Sequence, residues 1–403
     1  MHADAVRTRR QNSYNDHVPI SHRFLLGGLG AALACGFSMG QATAPPLLQT
    51  DVFVGGERGY HTFRIPSIVA TQKGTIVAFA EGRHASAADS GHIDLVAKRS
   101  TDGGATWSAL QVVGDNGPDA WVNPCAVVDR ATGAIWLLTT QNRGEDKEQA
   151  IIAGTNRSGI TVWALNSSDD GVTWSPSREV TSSVKKPEWT WYATGPGIGI
   201  QTQSGRLVIP ANHAEAGTGV HRSHLFYSDD GGLTWTLGAI AVPGTNESQV
   251  VELADGRLMH NMRNHPPKAG ENFRMVGISA DGGRTYAGPL REDRTLIEPP
   301  AQASLLRYPT VAAGDHNRLL FSNPASTRRE RMTVRVSHDE GQTWPASRII
   351  HAGHAAYSSL VVLRDGRIGL FYERGEKTAY ERLTFARFSL AWLEEGRDGV
   401  AGR

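Results

Sequence analysis

The chain has 403 residues, enough for one large domain or two ordinary ones, so length alone leaves the domain count open. Hydrophobic residues make up 39% and charged residues 20%, a balance that excludes a disordered or membrane-embedded class. A formal net charge of +1 offers no bulk attraction to nucleic acid or to an anionic membrane surface, so any recognition of an anion has to be local.

In chain order, the first feature is a basic stretch with Arg7, Arg9, Arg10 and Arg23, followed by an apolar run from Phe24 to Phe37 and then Ala42-Thr43-Ala44. This is the layout of an export signal, so residues 1–44 are expected to be a leader on a periplasmic or secreted protein. The run is roughly 14 residues, short of the ~20 that a spanning helix needs, so no stable membrane span is expected. Ala32-Leu33-Ala34-Cys35 is a poor lipoprotein cleavage site, and Pro45 directly after Ala44 leaves the cut position open. The two cysteines, Cys35 and Cys125, are too few for a disulfide framework, and Cys125 stands alone once a leader is removed.

Five segments then share the pattern S-x-D-x-G-x-T-aromatic: Ser100 to Trp107, Ser167 to Trp174, Ser228 to Trp235, Ser279 to Tyr286 and Ser337 to Trp344. Each reads as a turn in which the aspartate (Asp102, Asp169, Asp230, Asp281 or Asp339) accepts bonds from backbone N–H groups, and a glycine permits positive φ. Strand-like runs precede them, such as Asp94 to Arg99, His224 to Tyr227 and Met332 to Val336. A second series of turns interleaves, at Gly74, Gly133, Gly205, Gly256, His316 and Gly366, each followed by a strand and spaced about 50 to 70 residues apart. That spacing suits one four-stranded sheet per turn. The expected fold is all-β, a six-bladed β-propeller of four-stranded antiparallel blades over residues 45–395, with a tail at 396–403. The segment from about Asp51 would pair into the last blade and close the ring; a β-sandwich is the alternative. The repeat carboxylates are structural on this reading and not catalytic acids.

Function must then reside in residues outside the repeats. In Phe63-Arg64-Ile65-Pro66-Ser67 an arginine interrupts an apolar strand, and if buried it needs an anionic partner. Asp89 lies in a small-residue loop, Glu81 to Gly91, which by default is a solvated tip. Tyr357, in His354-Ala-Ala-Tyr-Ser-Ser, is by default a core or rim aromatic, and Glu247, in Gly244-Thr-Asn-Glu-Ser-Gln, an ordinary loop charge. Trp189-Thr-Trp-Tyr-Ala-Thr-Gly-Pro196 is unusually aromatic, and either packs in the core or lines a pocket together with Trp121-Val-Asn123.

From about residue 51 to 390 these motifs resemble the bacterial-type exo-α-sialidase (neuraminidase) family with Asp-box (BNR) repeats. The resemblance implies that Arg64, Arg263 (in His260-Asn-Met-Arg-Asn264) and Arg329 bind the carboxylate of sialic acid, a planar anion suited to the bidentate guanidinium. Arg329 is selected because the family arginine stands three before the Met of the next strand; Arg328 and Arg331 are its competitors. It further implies Asp89 as acid/base, Arg83 as an auxiliary substrate-binding arginine, Tyr357 as nucleophile and Glu247 as its proton acceptor. Neutral tyrosine avoids bringing a second anion against the sugar carboxylate, and sialidases depart in this way from the two-carboxylate scheme of other glycosidases. The implied reaction is retaining hydrolysis of terminal α-linked sialic acid from glycoproteins, glycolipids or oligosaccharides by a monomer without cofactor. No metal site is expected, since His260 and His265, or His351 and His354, lack partners at ligand spacing. A trans-sialidase, a non-catalytic glycan-binding or protein-binding propeller, and an enzyme for a related nine-carbon ulosonic acid remain open alternatives.

Overall fold

Each box turn closes on its own aspartate. In the computed structural model, which describes residues 46–156, 158–265, 273–309 and 317–396, Asp102 Oδ1 accepts from the N–H groups of Ala105 and Thr106. Its Oδ2 accepts from the Thr106 hydroxyl at 2.6 Å, while Ser100 Oγ donates to the carboxylate and accepts from Gly104 N–H. Asp169, Asp230, Asp281 and Asp339 each accept from the N–H and hydroxyl of their own threonine and from their own serine, which accepts in turn from a glycine N–H. The turn thereby satisfies its backbone donors without help from the core. The hydrogen bonds from Thr106, its hydroxyl foremost, hold the Asp102 carboxyl down at about 2. Gly104 is needed twice over: its φ is +85°, and a Cβ would collide with the Phe385 ring.

Three of the closing aromatics join one strand group to another. Trp107 meets Phe385 edge-on at 5.5 Å, Trp174 meets Phe79 at 5.4 Å, and Trp235 meets Trp136 at 6.3 Å. Such pairs contribute about 0.5–1.5 kcal/mol each beyond the area they bury.

Between turns the chain runs as short antiparallel strands, and the fold is all-β. The first group pairs Thr62–Ala70, Ile76–Arg83, Ile93–Ser100 and Gln111–Gly114 in order. The next consists of Ala120–Val128, Ile135–Asn142, Thr161–Ser167 and Arg178–Glu179, and a third of Trp189–Thr194, Leu207–Glu215, His221–Ser228 and Thr236–Ile240. Thr245–Glu252, Leu258–Asn264, Arg274–Ser279 and Arg291–Asp293 follow as a sheet of their own. Ser304–Tyr308, Arg318–Pro324 and Glu330–Ser337 then lead into the long strand Ala346–Val362. The later part of that strand opens the last group, with Ile368–Gly375, Arg382–Phe388 and the N-terminal strand Leu47–Val54. The N-terminal strand thus begins at Leu47 rather than at about Asp51.

Gly74, Gly133, Gly205, Gly256 and Gly366 all have positive φ and each stands just before the second strand of a group. His316 lies outside the described residues, as do residues 1–44, where a leader is expected, with Cys35, and the residues from 397 on. Helix is confined to Glu148–Ile152, Thr181–Val184 and Leu390–Glu394 among the described residues, and none there is long and apolar enough to cross a membrane.

Alternation distributes one strand between two cores. In Ile76–Arg83, which is buried throughout, Ile76, Ala78 and Ala80 enter one apolar cluster and Val77 and Phe79 enter another. Glu81 and Arg83 continue the Val77–Phe79 face, so the strand carries the same row of positions from core to charged site.

The turn bonds predict a structural effect without a catalytic one. Asp169→Ala strands the Thr173 N–H and hydroxyl and should lower stability by about 1–2 kcal/mol in urea unfolding, leaving the pH profile of any activity unchanged. An unaltered unfolding midpoint would show that the box carboxylates contribute nothing.

Candidate active site

Four strands that open their groups carry a β-bulge at the same end. Ile65 and Pro66 oppose Ala80; Asn123 and Pro124 oppose Thr139; Asn246 and Glu247 oppose Arg263; Ala356 and Tyr357 oppose Glu373. A bulge sets two residues against one and re-aims the side chains around it. In the first two the second residue is proline, which has no N–H to lose from the interrupted ladder. Ile65 and Asn123 take φ of +61° and +58°. For a β-branched residue that conformation costs on the order of 1–3 kcal/mol, so it must be held in place. Glu373 Oε1 accepts the Ile65 N–H at 3.0 Å, and Glu81 Oε1 accepts the Asn123 N–H at 2.8 Å.

The bulges surround a cavity of about 290 Å³ whose lining includes all seven residues singled out above: Arg64, Arg83, Asp89, Glu247, Arg263, Arg329 and Tyr357. None of the box aspartates reaches it.

Arg64 is buried and pairs through Nε with Glu373 Oε1 at 3.1 Å and through Nη1 with Asp89 Oδ1 at 3.2 Å. Its Nη2 is buried without a partner among the described residues, as is Arg263 Nε. Arg263 Nη1 donates to Glu247 Oε2 at 2.7 Å. Arg329 lines the cavity, bonded to the Tyr380 hydroxyl at 2.6 Å and the Pro300 carbonyl at 2.9 Å, with its guanidinium 5.3 Å from the Tyr357 ring centre. Its competitors do not: Arg328 is 79% exposed and pairs with Glu330, and Arg331 is exposed.

The Tyr357 hydroxyl donates to Glu247 Oε1 at 2.6 Å, and its backbone N–H donates to Glu373 Oε2 at 3.1 Å. Burial, reinforced by the Glu247 charge, pushes the phenol well above its ordinary value, against the opposing pull of Arg263, Arg329 and Arg64. The phenol is therefore neutral at rest. Asp89, at the mouth with a side chain 58% exposed, is gripped by Arg83 at 2.7 Å as well as by Arg64. Burial of its carboxyl works upward, but Arg83, Arg64 and Arg329 together prevail and hold it below the usual range. Arg83 is in turn fixed by Glu81 through Nε at 3.0 Å.

Several lining groups had no sequence signal that separated them from ordinary residues. Glu373, fully buried behind the lining, is a charge closing the apolar run Leu370-Phe-Tyr just as Arg64 interrupts its own. Glu81 and Glu148 are the others with charge, and burial pushes the Glu148 carboxyl up. Asn212 is buried at the lining with neither amide atom bonded among the described residues. The aromatic segment divides. Trp191 lines the cavity, whereas Trp189 stacks on His213 at 3.5 Å and Tyr192 enters the core. Trp121 does not line it either, packing instead against Trp163 at 5.7 Å; Val122 and Asn123 beside it do.

Residues 74–370 match the model of the BNR repeat-like domain family. The sialidase of Micromonospora viridifaciens is 36% identical over 398 residues, covering 92% of this chain and 59% of that protein. This chain thus spans about three fifths of that relative's length. The exo-alpha-sialidase of Aspergillus fumigatus (strain ATCC MYA-4609 / CBS 101355 / FGSC A1100 / Af293) is 32% identical, covering 89% of this chain and 90% of its own. Among solved structures, the Hadza microbial sialidase Hz136 is similar with a TM-score of 0.78 at 30% identity, covering 86% of this chain and 69% of that one.

Glu373 carries the sharpest stability prediction of the site. Glu373→Ala leaves the Arg64 guanidinium buried with its inner side unpaired and should cost about 3–5 kcal/mol. Glu373→Gln, which keeps an acceptor for Ile65, should cost less. Denaturant unfolding of the three proteins checks the order, and equal midpoints would contradict it.

Proposed function

The chain belongs to the sialidase family with BNR repeats, and from that premise and the cavity's geometry we propose that it is an exo-α-sialidase releasing terminal α-linked sialic acid. The observation that carries this reading is the Tyr357 hydroxyl, 2.6 Å from Glu247 Oε1, beside three arginines that line the same cavity from separate strand groups. Sialylated glycoproteins, glycolipids or oligosaccharides are the substrates that follow.

Arg64, Arg263 and Arg329 receive the sugar carboxylate, with the free Arg64 Nη2 and Arg263 Nε as ready donors. Tyr357 attacks the anomeric carbon as Glu247 takes the phenol proton, and Asp89 gives its proton to the departing glycosidic oxygen. A water then attacks the tyrosyl-sugar carbon, passing its proton to Asp89; the phenol leaves and recovers its proton from Glu247. Two inversions give net retention. The unpartnered Asn212 amide suits a hydrogen-bonding substituent on the sugar.

We read the strand groups as the six blades of a β-propeller. Supporting this, neighbouring groups touch in sequence, with Leu207–Glu215 making the contact from the third group to Thr245–Glu252, Ala346–Val362 returns to touch Thr62–Ala70, and Leu47–Val54 completes the last group. Export with loss of residues 1–44 and action as a monomer complete the proposal; N-terminal sequencing of secreted protein and light scattering check these two.

The activity is tested on a fluorogenic α-sialoside. Release of free sugar between about pH 4 and pH 8 is the expected result, and no release by folded protein would sink the reading. Glu247→Gln should lower kcat by about 10²–10⁴. Arg329→Ala should raise the Kd for a sialic-acid-like inhibitor at least tenfold, with Arg328→Ala near the parent.

Charge balance makes a further prediction. Arg64, Arg83, Arg263 and Arg329 face the carboxyls of Glu81, Asp89, Glu148, Glu247 and Glu373, so an arriving carboxylate finds no spare positive charge. By occupying the arginines it removes what holds the Asp89 carboxyl low, and the group takes up a proton. Inhibitor affinity should therefore rise as pH falls through the acid range, with Asp89→Asn abolishing the slope. A slope that survived in that variant would assign the proton to Glu148 and contradict this step.

A further inference from the structure

The hairpin that carries Asp89 has a second cluster at its neck. Strands Ile76–Arg83 and Ile93–Ser100 pair Gly82 with Asp94 and Arg83 with Ile93, and just beyond them His84 N–H donates to the His92 carbonyl at 3.2 Å. Alternation puts His92 and Asp94 on one face, and His84, directly across from His92, shares it. Gly82 contributes no side chain on that face; a Cβ there would lie 2.7 Å from the Tyr60 ring. The ring takes that space and its hydroxyl donates to Asp94 Oδ2 at 2.6 Å.

Three donor groups thereby meet. His84 Nε2 lies 2.9 Å from Asp94 Oδ2 and His92 Nε2 lies 3.1 Å from Asp94 Oδ1. The two imidazoles are stacked at 3.8 Å, and Asp115 Oδ1 stands 3.7 Å from His92 Nε2. The ligand atoms of His84, His92 and Asp94 all lie within 4.8 Å of one another. These residues fall outside the histidine pairs that the sequence drew attention to, because the hairpin rather than the spacing brings them together.

We propose that His84, His92 and Asp94, with Asp115 as a fourth ligand, bind one divalent transition cation of the zinc class. Two imidazoles with carboxylates suit such an ion, whereas calcium and magnesium prefer all-oxygen shells. Around a tetrahedral zinc with bonds of about 2.0–2.2 Å, neighbouring ligand atoms stand about 3.3 Å apart. The two histidine–Asp94 separations are slightly shorter than this and the Asp115–His92 separation slightly longer, so the ion enters with small movements of the side chains. Asp94 is buried and oriented by Tyr60, the kind of outer contact that fixes a ligating carboxylate. The imidazoles, about a third exposed, and Asp115, over half exposed, leave an entry from solvent. Each neutral ring carries its proton on Nδ1 in the bound state and offers the Nε2 lone pair. The ion then ties both strands at the base of the loop holding Asp89.

The test is calorimetric titration of the metal-stripped full chain with zinc, calcium and magnesium chloride. One zinc ion per chain with micromolar or tighter affinity, a higher melting temperature with zinc, and no response to calcium or magnesium are expected. The His84→Gln/His92→Gln double variant should lose the site, and Tyr60→Phe, which keeps the ring, should weaken it about tenfold or more. No zinc uptake by the parent, or uptake unchanged in the double variant, overturns the proposal. If the double variant does not fold, Tyr60→Phe decides, and unaltered zinc affinity there overturns it. Sialoside turnover is read separately, so failure of the metal site leaves the proposed reaction standing, and the reverse.

Discussion

A buried guanidinium requires a buried carboxylate, and the pairing of Arg64 with Glu373 is the contact from which the rest of the site hangs. The two residues are 309 positions apart in the chain, in the strands that open the first group and follow the last bulge. Glu373 Oε1 takes both Arg64 Nε and the strained Ile65 N–H, and Oε2 takes the Tyr357 N–H. One carboxylate thus fixes the anion-binding arginine, the bulge that aims it and the backbone of the tyrosine. The arrangement exists only when the two ends of the chain have come together, so the chemistry depends on completed folding rather than on any one strand group.

The same local device recurs around the cavity. Each bulge exchanges a ladder bond for a side chain turned inward, and each is repaired by a carboxylate, a proline or, at Glu247, the amide oxygen of Asn246. Between them the walls hold alternating charges: Arg83 lies between Glu81 and Asp89, Glu247 between Arg263 and Tyr357, Arg64 between Glu373 and Asp89. This alternation keeps the guanidinium groups of Arg64, Arg83 and Arg263 together in a small space, while Arg329 is held by the Tyr380 hydroxyl and the Pro300 carbonyl. It also leaves donors such as Arg64 Nη2 unspent for an incoming anion.

What could be read in the sequence follows what is local. The box turns satisfy themselves within eight residues, so their pattern survives in the chain as written, as do the turn glycines at positive φ. Arg64 was legible because a charge breaks an apolar strand, and Arg263, Arg329, Asp89, Glu247 and Tyr357 because they match a family in order. Glu373, Glu81 and Asn212 were not singled out, since their importance comes from what only the folded chain brings beside them. His84 and His92 were missed for a related reason, since they become neighbours only through the hairpin. Trp121 and Trp189 look like pocket residues in sequence, but both pack into cores, Trp189 because a bulge between it and Trp191 sets the two on different faces.

The claim most in need of direct evidence is that Tyr357 forms the bond to the sugar. A sialosyl fluoride bearing a second fluorine beside the anomeric carbon should react once and then stall, because that fluorine slows departure of the sugar. Digestion and tandem mass spectrometry of the treated protein should place one sugar adduct on Tyr357, absent from Tyr357→Phe. An adduct on Glu247 or Asp89, or an active protein that never accumulates one, would contradict the account.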